Sequence, residues 1–210
     1  FNNGSINIGK KFSKDLEVSS ILESFKLKPK ETKELIKKHN VERTDGIVDL
    51  NNAFLNDGLI IKIKKGVKLD TPISIFFYNS KKLKDILINN RIYIILEEKA
   101  EVEISEIFLS DKNASYWNNI HTFIELKEES KLDHYKIQLE SFESVHLSST
   151  NIDCKKSSIY NSFILSLGGL VSRMETNGNI NDSKIECNIK GLYIATKSQV
   201  HDITNLIKHK

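Results

Sequence analysis

The chain has 210 residues, of which 39% are hydrophobic and 28% are charged, so it is long enough to form one domain with a sizeable core. Its 31 basic and 28 acidic residues are mixed along the chain and leave a net charge of only +3, which excludes the dense basic stripe of a nucleic-acid-binding protein. No apolar run approaches the ~18 residues of a membrane-spanning helix.

Residues 1–46 predict a mixed segment of short strands and helices. Leu16-Glu17-Val18 is typical of a short strand. The next residues predict a short helix that ends near Phe25, with Ser19 as its N-cap, because a serine hydroxyl can accept a hydrogen bond from a free N–H of the first turn.

A second helix is predicted from Pro29 to about His39. Proline suits a helix start, since the N–H that it lacks would have no intrahelical partner there. Leu35 and Ile36 form the predicted apolar face of this helix. We expect the N-terminal segment to cap the remainder of the chain, with this helix covering one end.

Residues 47–210 predict a β domain, because apolar and polar residues alternate in short runs that turn residues separate. No long helical pattern follows residue 47, which excludes an alternating α/β fold. The residues expected to face the core in representative runs are Ile61, Ile63, Val102, Ile104, Thr122, Ile124, Phe163, Leu165, Ile185 and Cys187.

A loose repeat runs through the same region. A small residue beside charged residues, followed by a strand-like run, recurs roughly every 30 residues, within the range of solenoid repeats. This spacing favours a parallel β-solenoid, in which each small residue would sit at a tight corner; a meandering β-sandwich is the alternative. The small residues are Gly66, Ala100, Ser130, Ser157 and Ser183.

Several ordered segments resemble the SufB/SufD family of iron–sulfur cluster assembly proteins. Asn56-Asp57-Gly58 favours the SufD branch over the SufB branch. The likeness covers nearly the whole chain and rests on residues 1–4, 50–58, 63–67, 91–100, 132–138, 168–173 and 191–193, with Asp202 and His209 near the end.

The resemblance implies a right-handed parallel β-helix that acts as a non-enzymatic scaffold. It implies partnership with a SufB-like subunit and a SufC-like ATPase, and an iron–sulfur cluster that is assembled transiently in the full complex. The family's cluster-associated residues lie beyond the matched segments, so no cluster ligand is carried over and none is expected to be bound by this chain. Nucleic acid and membrane are not expected partners, whereas an exposed strand edge would allow a homodimer through a β-helix edge.

The chain is expected to be a fragment that lacks the C-terminal part of the family. It begins at Phe1 without a methionine, and its last residues stop within a strand-like pattern. A solenoid needs a cap at each end, and no cap-like sequence follows Lys197.

The titratable residues give no strong signal for a catalytic or metal site. None of the six histidines has a metal-ligand spacing. His121 and His146 could stack on neighbouring coils, and His201, Asp202 and His209 are the best remaining set. The sequence therefore predicts no catalytic residue and no metal ligand. The histidines are His39, His121, His134, His146, His201 and His209.

The two cysteines, Cys154 and Cys187, are too few for a disulfide framework and predict a reducing, cytoplasmic location. Cys187 falls at a core-facing position, whereas neighbouring lysines would lower the pKa of Cys154 if it were exposed. Trp117 is either a core aromatic or an exposed contact residue.

A group of carboxylates leaves a second function open, that of a β-helix enzyme acting on polysaccharides as a lyase or hydrolase. Alternation with Val102 and Ile104 predicts instead that these acids lie on a solvated strand face. A self-assembling structural solenoid is a third possibility. The carboxylates are Glu97, Glu98, Glu101, Glu103 and Glu106.

Overall fold

The computed structural model describes residues 1–9, 14–39, 46–82 and 84–209. The predicted N-terminal segment is therefore described in part, and Lys210 lies outside the described residues. The helices are α1 (Ile21–Leu27), α2 (Pro29–His39) and α3 (Gly46–Ala53). The strands are β1 (Leu16–Ser20), β2 (Asp57–Ile63), β3 (Ile73–Asn79), β4 (Lys84–Leu96), β5 (Glu101–Ser110), β6 (Ser115–Leu126), β7 (Lys131–Leu139), β8 (Val145–Cys154), β9 (Ile159–Ser166), β10 (Val171–Ile180), β11 (Glu186–Tyr193) and β12 (Val200–His209).

The strands form a parallel β-solenoid of about five turns, which confirms the predicted fold class. Each turn contributes one strand to a seven-stranded sheet, in the order β1-β2-β4-β6-β8-β10-β12, and one to a five-stranded sheet, in the order β11-β9-β7-β5-β3. All pairings between neighbouring coils are parallel, and only β1 pairs antiparallel, with β2. A meandering sandwich is thereby excluded, because its neighbouring strands would run antiparallel.

The core is built from ladders of side chains that stack from coil to coil. Ile61, Ile94, Ile124 and Ile152 follow one another in register across four strands of the seven-stranded sheet, and all are buried. Each buried isoleucine stabilises the fold by about 1.5–3 kcal/mol through removal of apolar surface from water. The alternation of apolar and polar residues in the sequence therefore arises because the side chains on one face of each strand are buried in this core.

The prediction for β9 has the wrong phase. Ser162, Ile164 and Ser166 face the interior, whereas Phe163 and Leu165 lie half-buried on the outer face. The cause is the partner strand, because β9 stacks on β7, whose inward residues are polar at the matching positions. The sequence of β9 alone favours the opposite orientation.

The corners between the two sheets repeat a backbone conformation with positive φ. It occurs at Gly66, Lys99, Glu129 and Ser157. The N–H of Gly66 donates to the carbonyl of Glu98, one coil away, at 2.8 Å, and each later corner bonds to the next in the same way. Small residues lie at these corners, as predicted. At two corners, however, the small residue is not the one with positive φ but the residue that follows it, and its side chain is buried inside the solenoid. Those two residues are Ala100 and Ser130.

Helix α1 begins one residue later than predicted. Ser20, not Ser19, is its N-cap, and the Ser20 hydroxyl accepts from the Glu23 N–H at 3.0 Å. Strand β1 extends to Ser20, which leaves Ser19 in the antiparallel pairing with β2. Helix α2 has the bounds that the sequence predicts.

Helix α2 lies on the outer face of the seven-stranded sheet and not across an end of the solenoid. Its Leu35 and Ile36 pack against Tyr93 and Phe123, whose side chains point outward from β4 and β6. The first coil is instead covered by residues 1–8. Phe1 stacks on the ring of Phe77 with centroids 4.7 Å apart, and Ile6 and Ile8 pack against the same core.

Helix α3, which the sequence did not predict, is tied to the same outer face by buried polar contacts. The amide of Asn51 donates to the carbonyl of Asn119 at 2.8 Å and accepts from Nε of Arg91 at 2.8 Å. Both side chains are almost fully buried. These contacts help to explain why so short a helix is stable at this position.

Candidate functional site

The interior of the solenoid changes from apolar to polar towards one edge. On strands β5 to β9, several core-facing positions hold charged or polar side chains instead of apolar ones, and these side chains are buried. Burial of such groups is costly unless each finds partners, so this region is the chemically distinctive part of the described chain. It contains two hydrogen-bonded groups, centred on Glu106 and Glu140.

The first group surrounds Glu106, which is fully buried. Its Oε1 lies 2.9 Å from Nε2 of His134 and accepts from the Thr122 hydroxyl at 2.9 Å. Nδ1 of His134 lies 2.9 Å from the hydroxyl of Tyr160. An ionised carboxylate can only accept, so in a neutral imidazole Nε2 donates to Glu106 and Nδ1 accepts from Tyr160.

Lys136 completes this group from the neighbouring position on β7. Its Nζ lies 3.6 Å from Oε2 of Glu106 and donates to the Ser148 hydroxyl at 2.8 Å. Burial alone would raise the pKa of Glu106, but the charge of Lys136 and the hydrogen bond from His134 outweigh it and lower that pKa to about 2. Burial lowers the pKa of Lys136, against the pull of Glu106. Glu106 is therefore an ionised carboxylate at neutral pH.

The second group surrounds Glu140, at the corner after β7. Its Oε1 accepts from the Tyr116 hydroxyl at 2.8 Å, and its Oε2 lies 2.7 Å from Nδ1 of His146. Gln138 donates to Oε2 at 3.1 Å. Burial opposes ionisation of Glu140, but His146 and these donors lower its pKa below the ordinary range. Burial raises the pKa of Tyr116, and the adjacent carboxylate adds to that rise.

Hydrogen bonds continue from Gln138 to the last described coil. The Ser166 hydroxyl lies 3.4 Å from Oε1 of Gln138, 2.9 Å from the Ser172 hydroxyl and 2.8 Å from Nδ1 of His201. The ring of His201 stacks on Tyr193 with centroids 5.9 Å apart. Partial burial lowers the pKa of His201, so its ring favours the neutral form.

The last coil is much more exposed than the coils before it. β11 and β12 are the outermost strands of their sheets. Tyr193, Ile194 and Val200 are each more than half exposed, whereas Ser166 and Val171, the partners of Tyr193 and Val200 on the preceding coil, are buried and half-buried. This end of the described solenoid therefore presents apolar side chains together with the backbone edges of two strands.

The histidines do not come together as a site. His121 faces outward from β6 and His146 faces inward from β8, so the register does not stack them. His201 faces the interior, Asp202 faces outward near Arg173, and His209 lies at the end of β12. Within the described ranges, no group of three or more histidine, cysteine or acidic side chains is arranged to hold a metal ion.

Both cysteines belong to the core. Cys154 is buried, and burial raises the pKa of its thiol to about 12. The neighbouring lysines therefore do not produce the reactive thiolate that they would favour at an exposed position. Cys187 faces inward as predicted, and partial burial also raises its pKa. Trp117 is exposed on the outer face of β6.

The predicted carboxylate group divides into a solvated set and one buried member. Glu97, Glu98 and Glu101 form ion pairs with lysines of the preceding coil, as expected for a charged outer surface. Glu106 was expected among them and is instead at the centre of the buried group. The sequence does contain a signal for this, because Glu106 is in phase with Ile104 and Phe108 rather than with the exposed acids.

Comparisons with known proteins match residues 2–210. The family model described as "SUF system FeS cluster assembly, SufBD core domain" matches residues 76–210, and the model "SufBD protein N-terminal region" matches residues 2–75. Among the described residues, no helix has the length and apolar character to cross a membrane.

Two curated relatives were found at low identity. An "Iron-sulfur cluster assembly SufBD family protein" of Synechocystis is 27% identical over 177 residues, which is 79% of this chain and 39% of that protein. "Protein ABCI7, chloroplastic" of Arabidopsis thaliana is 26% identical over 140 residues, which is 64% of this chain and 30% of that protein. The matched part of this chain therefore corresponds to well under half of either relative.

Proposed function

The chain belongs to the SufBD family of the SUF system for iron–sulfur cluster assembly, and we propose that it acts there as a non-enzymatic scaffold subunit of the SufD type. The observation that carries this proposal is the pair of family matches, which are contiguous and cover both the N-terminal region and the core. The Synechocystis relative, whose name places it in iron–sulfur cluster assembly, supports the same role.

The proposed partners are a homologous SufB-like subunit and a SufC-like ATPase. A parallel solenoid suits a scaffold, because continuous backbone ladders fix the relative positions of residues on distant coils. Exposed strand edges and apolar side chains on such a body can dock another subunit by strand addition. The cytoplasm is the proposed location, since two free thiols, one buried and one half-buried, are consistent with a reducing compartment; the plastid of the Arabidopsis relative is the other compartment to test.

The cluster itself is proposed to be held transiently in the assembled complex, with no ligand from this chain. The two thiols support this view, because burial disfavours the thiolate that binds iron. An enzyme that cleaves polysaccharides gains no support from the acids. Three of them are engaged by lysines on the surface, and Glu106 is out of reach of a polymer.

Co-purification tests the proposal. Tagged protein, expressed with SufB-like and SufC-like proteins from the same organism, should elute with both as one complex of defined mass. Expression with each partner alone separates direct from indirect contacts, and an unrelated β-solenoid with the same tag is the control. Failure to associate with either partner, or cleavage of acidic polysaccharides by the purified protein, would contradict the scaffold role.

A further inference from the structure

Tyr160 is a buried tyrosine whose hydroxyl has a histidine beside it. The side chain is fully buried on β9, and its hydroxyl oxygen lies 2.9 Å from Nδ1 of His134 on β7. The other ring nitrogen of His134, Nε2, lies 2.9 Å from Oε1 of Glu106 on β5. A phenol, an imidazole and a carboxylate therefore form one hydrogen-bonded row across three successive coils, and all three are shielded from solvent.

The surroundings of this row favour a neutral imidazole. Glu106 is ionised and has Lys136 as its counter-charge, with Nζ 3.6 Å from Oε2. A neutral His134 leaves the buried group without net charge, whereas an imidazolium would add a charge that nothing in the pair compensates. Nε2–H of His134 then donates to Glu106, and the lone pair of Nδ1 accepts the hydrogen bond from Tyr160.

A base at this position changes what Tyr160 can do. Burial raises the pKa of the Tyr160 hydroxyl, so the phenol keeps its proton at neutral pH. Loss of one electron turns a phenol into a strong acid, and the positive charge would be costly in a dry interior. A base within hydrogen-bond distance removes this cost by taking the proton. The carboxylate of Glu106 would stabilise the imidazolium that His134 then becomes.

We propose that Tyr160 is a redox-active tyrosine, which gives one electron to a one-electron oxidant of the high-potential metal-complex class while its hydroxyl proton moves to Nδ1 of His134. The O–H bond of Tyr160 breaks and an N–H bond forms on His134. The products are a neutral tyrosyl radical, an imidazolium and the oxidant reduced by one electron. Reduction reverses the step, because the electron returns to Tyr160 and the proton returns from Nδ1.

The solenoid allows an electron to reach Tyr160 although a small molecule cannot. Tyr160 belongs to the core between the two sheets. Packed sheets are about 10 Å apart, so a core side chain lies roughly one sheet thickness from the outer surface. Electrons can tunnel over such a distance without contact between donor and acceptor. The same packing keeps solvent and other radicals away from the oxidised ring, so the radical should persist.

Two other buried tyrosines lack this arrangement. The hydroxyl of Tyr93 has the guanidinium of Arg91 as its polar neighbour, and a guanidinium cannot accept a proton. The hydroxyl of Tyr116 donates to Glu140 at 2.8 Å, but that carboxyl has a pKa below its ordinary range, so it is a weaker base than an imidazole. The radical is therefore expected on Tyr160 and not on Tyr93 or Tyr116.

Photo-oxidation of the purified protein tests this inference. A ruthenium–bipyridine complex with persulfate as electron acceptor is illuminated, the sample is frozen, and electron paramagnetic resonance detects radicals. Wild type should give a persistent tyrosyl signal. Tyr160→Phe should lose it, and His134→Gln should lose it as well, because an amide keeps a polar group but offers no base. Tyr93→Phe is the matched control, since it removes the hydroxyl of another buried tyrosine, and it should keep the signal.

A second measurement on the wild type needs no substitution. Protein labelled with a heavy nitrogen isotope in histidine should show coupling between the radical and a histidine nitrogen, and circular dichroism should show which variants are folded. Absence of a persistent tyrosyl signal in wild type, survival of that signal in folded Tyr160→Phe, or absence of the histidine coupling would overturn the assignment. These results do not depend on the SufB-like and SufC-like partners, so the co-purification test stands separately.

Discussion

Glu106 and Lys136 lie directly opposite each other in the register of β5 and β7, and both side chains are buried inside the solenoid. Oε2 of Glu106 and Nζ of Lys136 are 3.6 Å apart. Taking two charges out of water costs more than such a pair commonly returns, unless further hydrogen bonds assist it. Thr122, His134 and Ser148 supply those bonds.

Loss of one member of this pair should destabilise the protein more than loss of both. Lys136→Met leaves an ionised carboxylate without its main counter-charge and should lower the free energy of unfolding by about 3–5 kcal/mol. The double variant Glu106→Gln/Lys136→Met removes both charges and should recover most of that loss. Urea unfolding of both single variants (Lys136→Met and Glu106→Gln), the double variant and the wild type provides the measurement.

Lys131→Met is the control for Lys136→Met, because Lys131 is on the same strand but forms a surface ion pair with Asp133. Its cost should not exceed about 1 kcal/mol. Equal destabilisation by the two lysine substitutions, or a double variant that is as unstable as the sum of the single ones, would show that the buried charges are not coupled.

Acid should unfold the protein partly through Glu106. The pKa of this group is about 2 in the folded chain, against an ordinary value of 4.5. A lowered carboxyl pKa gives stability that is fully present above pH 4.5 and is lost as the pH falls towards 2, at most about 3 kcal/mol for this one group. Unfolding free energies measured between pH 7 and pH 2.5 should therefore fall less steeply for Glu106→Gln than for wild type. Parallel curves would contradict this assignment.

The sequence predicts the strands of the solenoid well because their alternation records which residues enter the core. It predicts the inward phase poorly where the interior is polar. In β9, Phe163 is the more apolar residue, yet Ser162 faces inward opposite His134 of the neighbouring coil. Pairing with a strand roughly one repeat away fixes this phase, since a shift of one residue would turn every side chain of the strand over.

The polar interior was missed for a related reason. His134, Lys136 and Gln138 alternate in phase with the buried Leu132, which is the signal that they face inward. A charged side chain at such a position is normally read as solvated, because isolated charges are rarely buried. Only the stacking of Glu106 next to Lys136, residues far apart in the chain, reveals that the charges are paired.

Gly66 should stabilise its corner through its backbone conformation and not through lack of space. Its φ is +71°, and a Cβ at this position would meet no atom within 4 Å. Gly66→Ala should therefore lower the free energy of unfolding by about 1–2 kcal/mol, the cost of the left-handed conformation for a residue with a Cβ. Gly46→Ala is the matched control, since Gly46 has equally open surroundings without a positive φ and begins α3. That change should be neutral or stabilise by up to about 1 kcal/mol; equal effects at the two glycines would contradict the explanation.

The cysteines should be unreactive in the folded protein. Burial raises the pKa of Cys154 to about 12, so at pH 8 almost none of this thiol is ionised, and partial burial raises the pKa of Cys187 in the same direction. A colorimetric disulfide reagent should detect no fast-reacting thiol in native protein and two thiols after denaturation. In Cys187→Ala, the remaining Cys154 should react only as fast as the protein unfolds. A rapid reaction of Cys154 would mean that its coil opens readily, and it would also remove the argument that buried thiols keep this chain from supplying a cluster ligand.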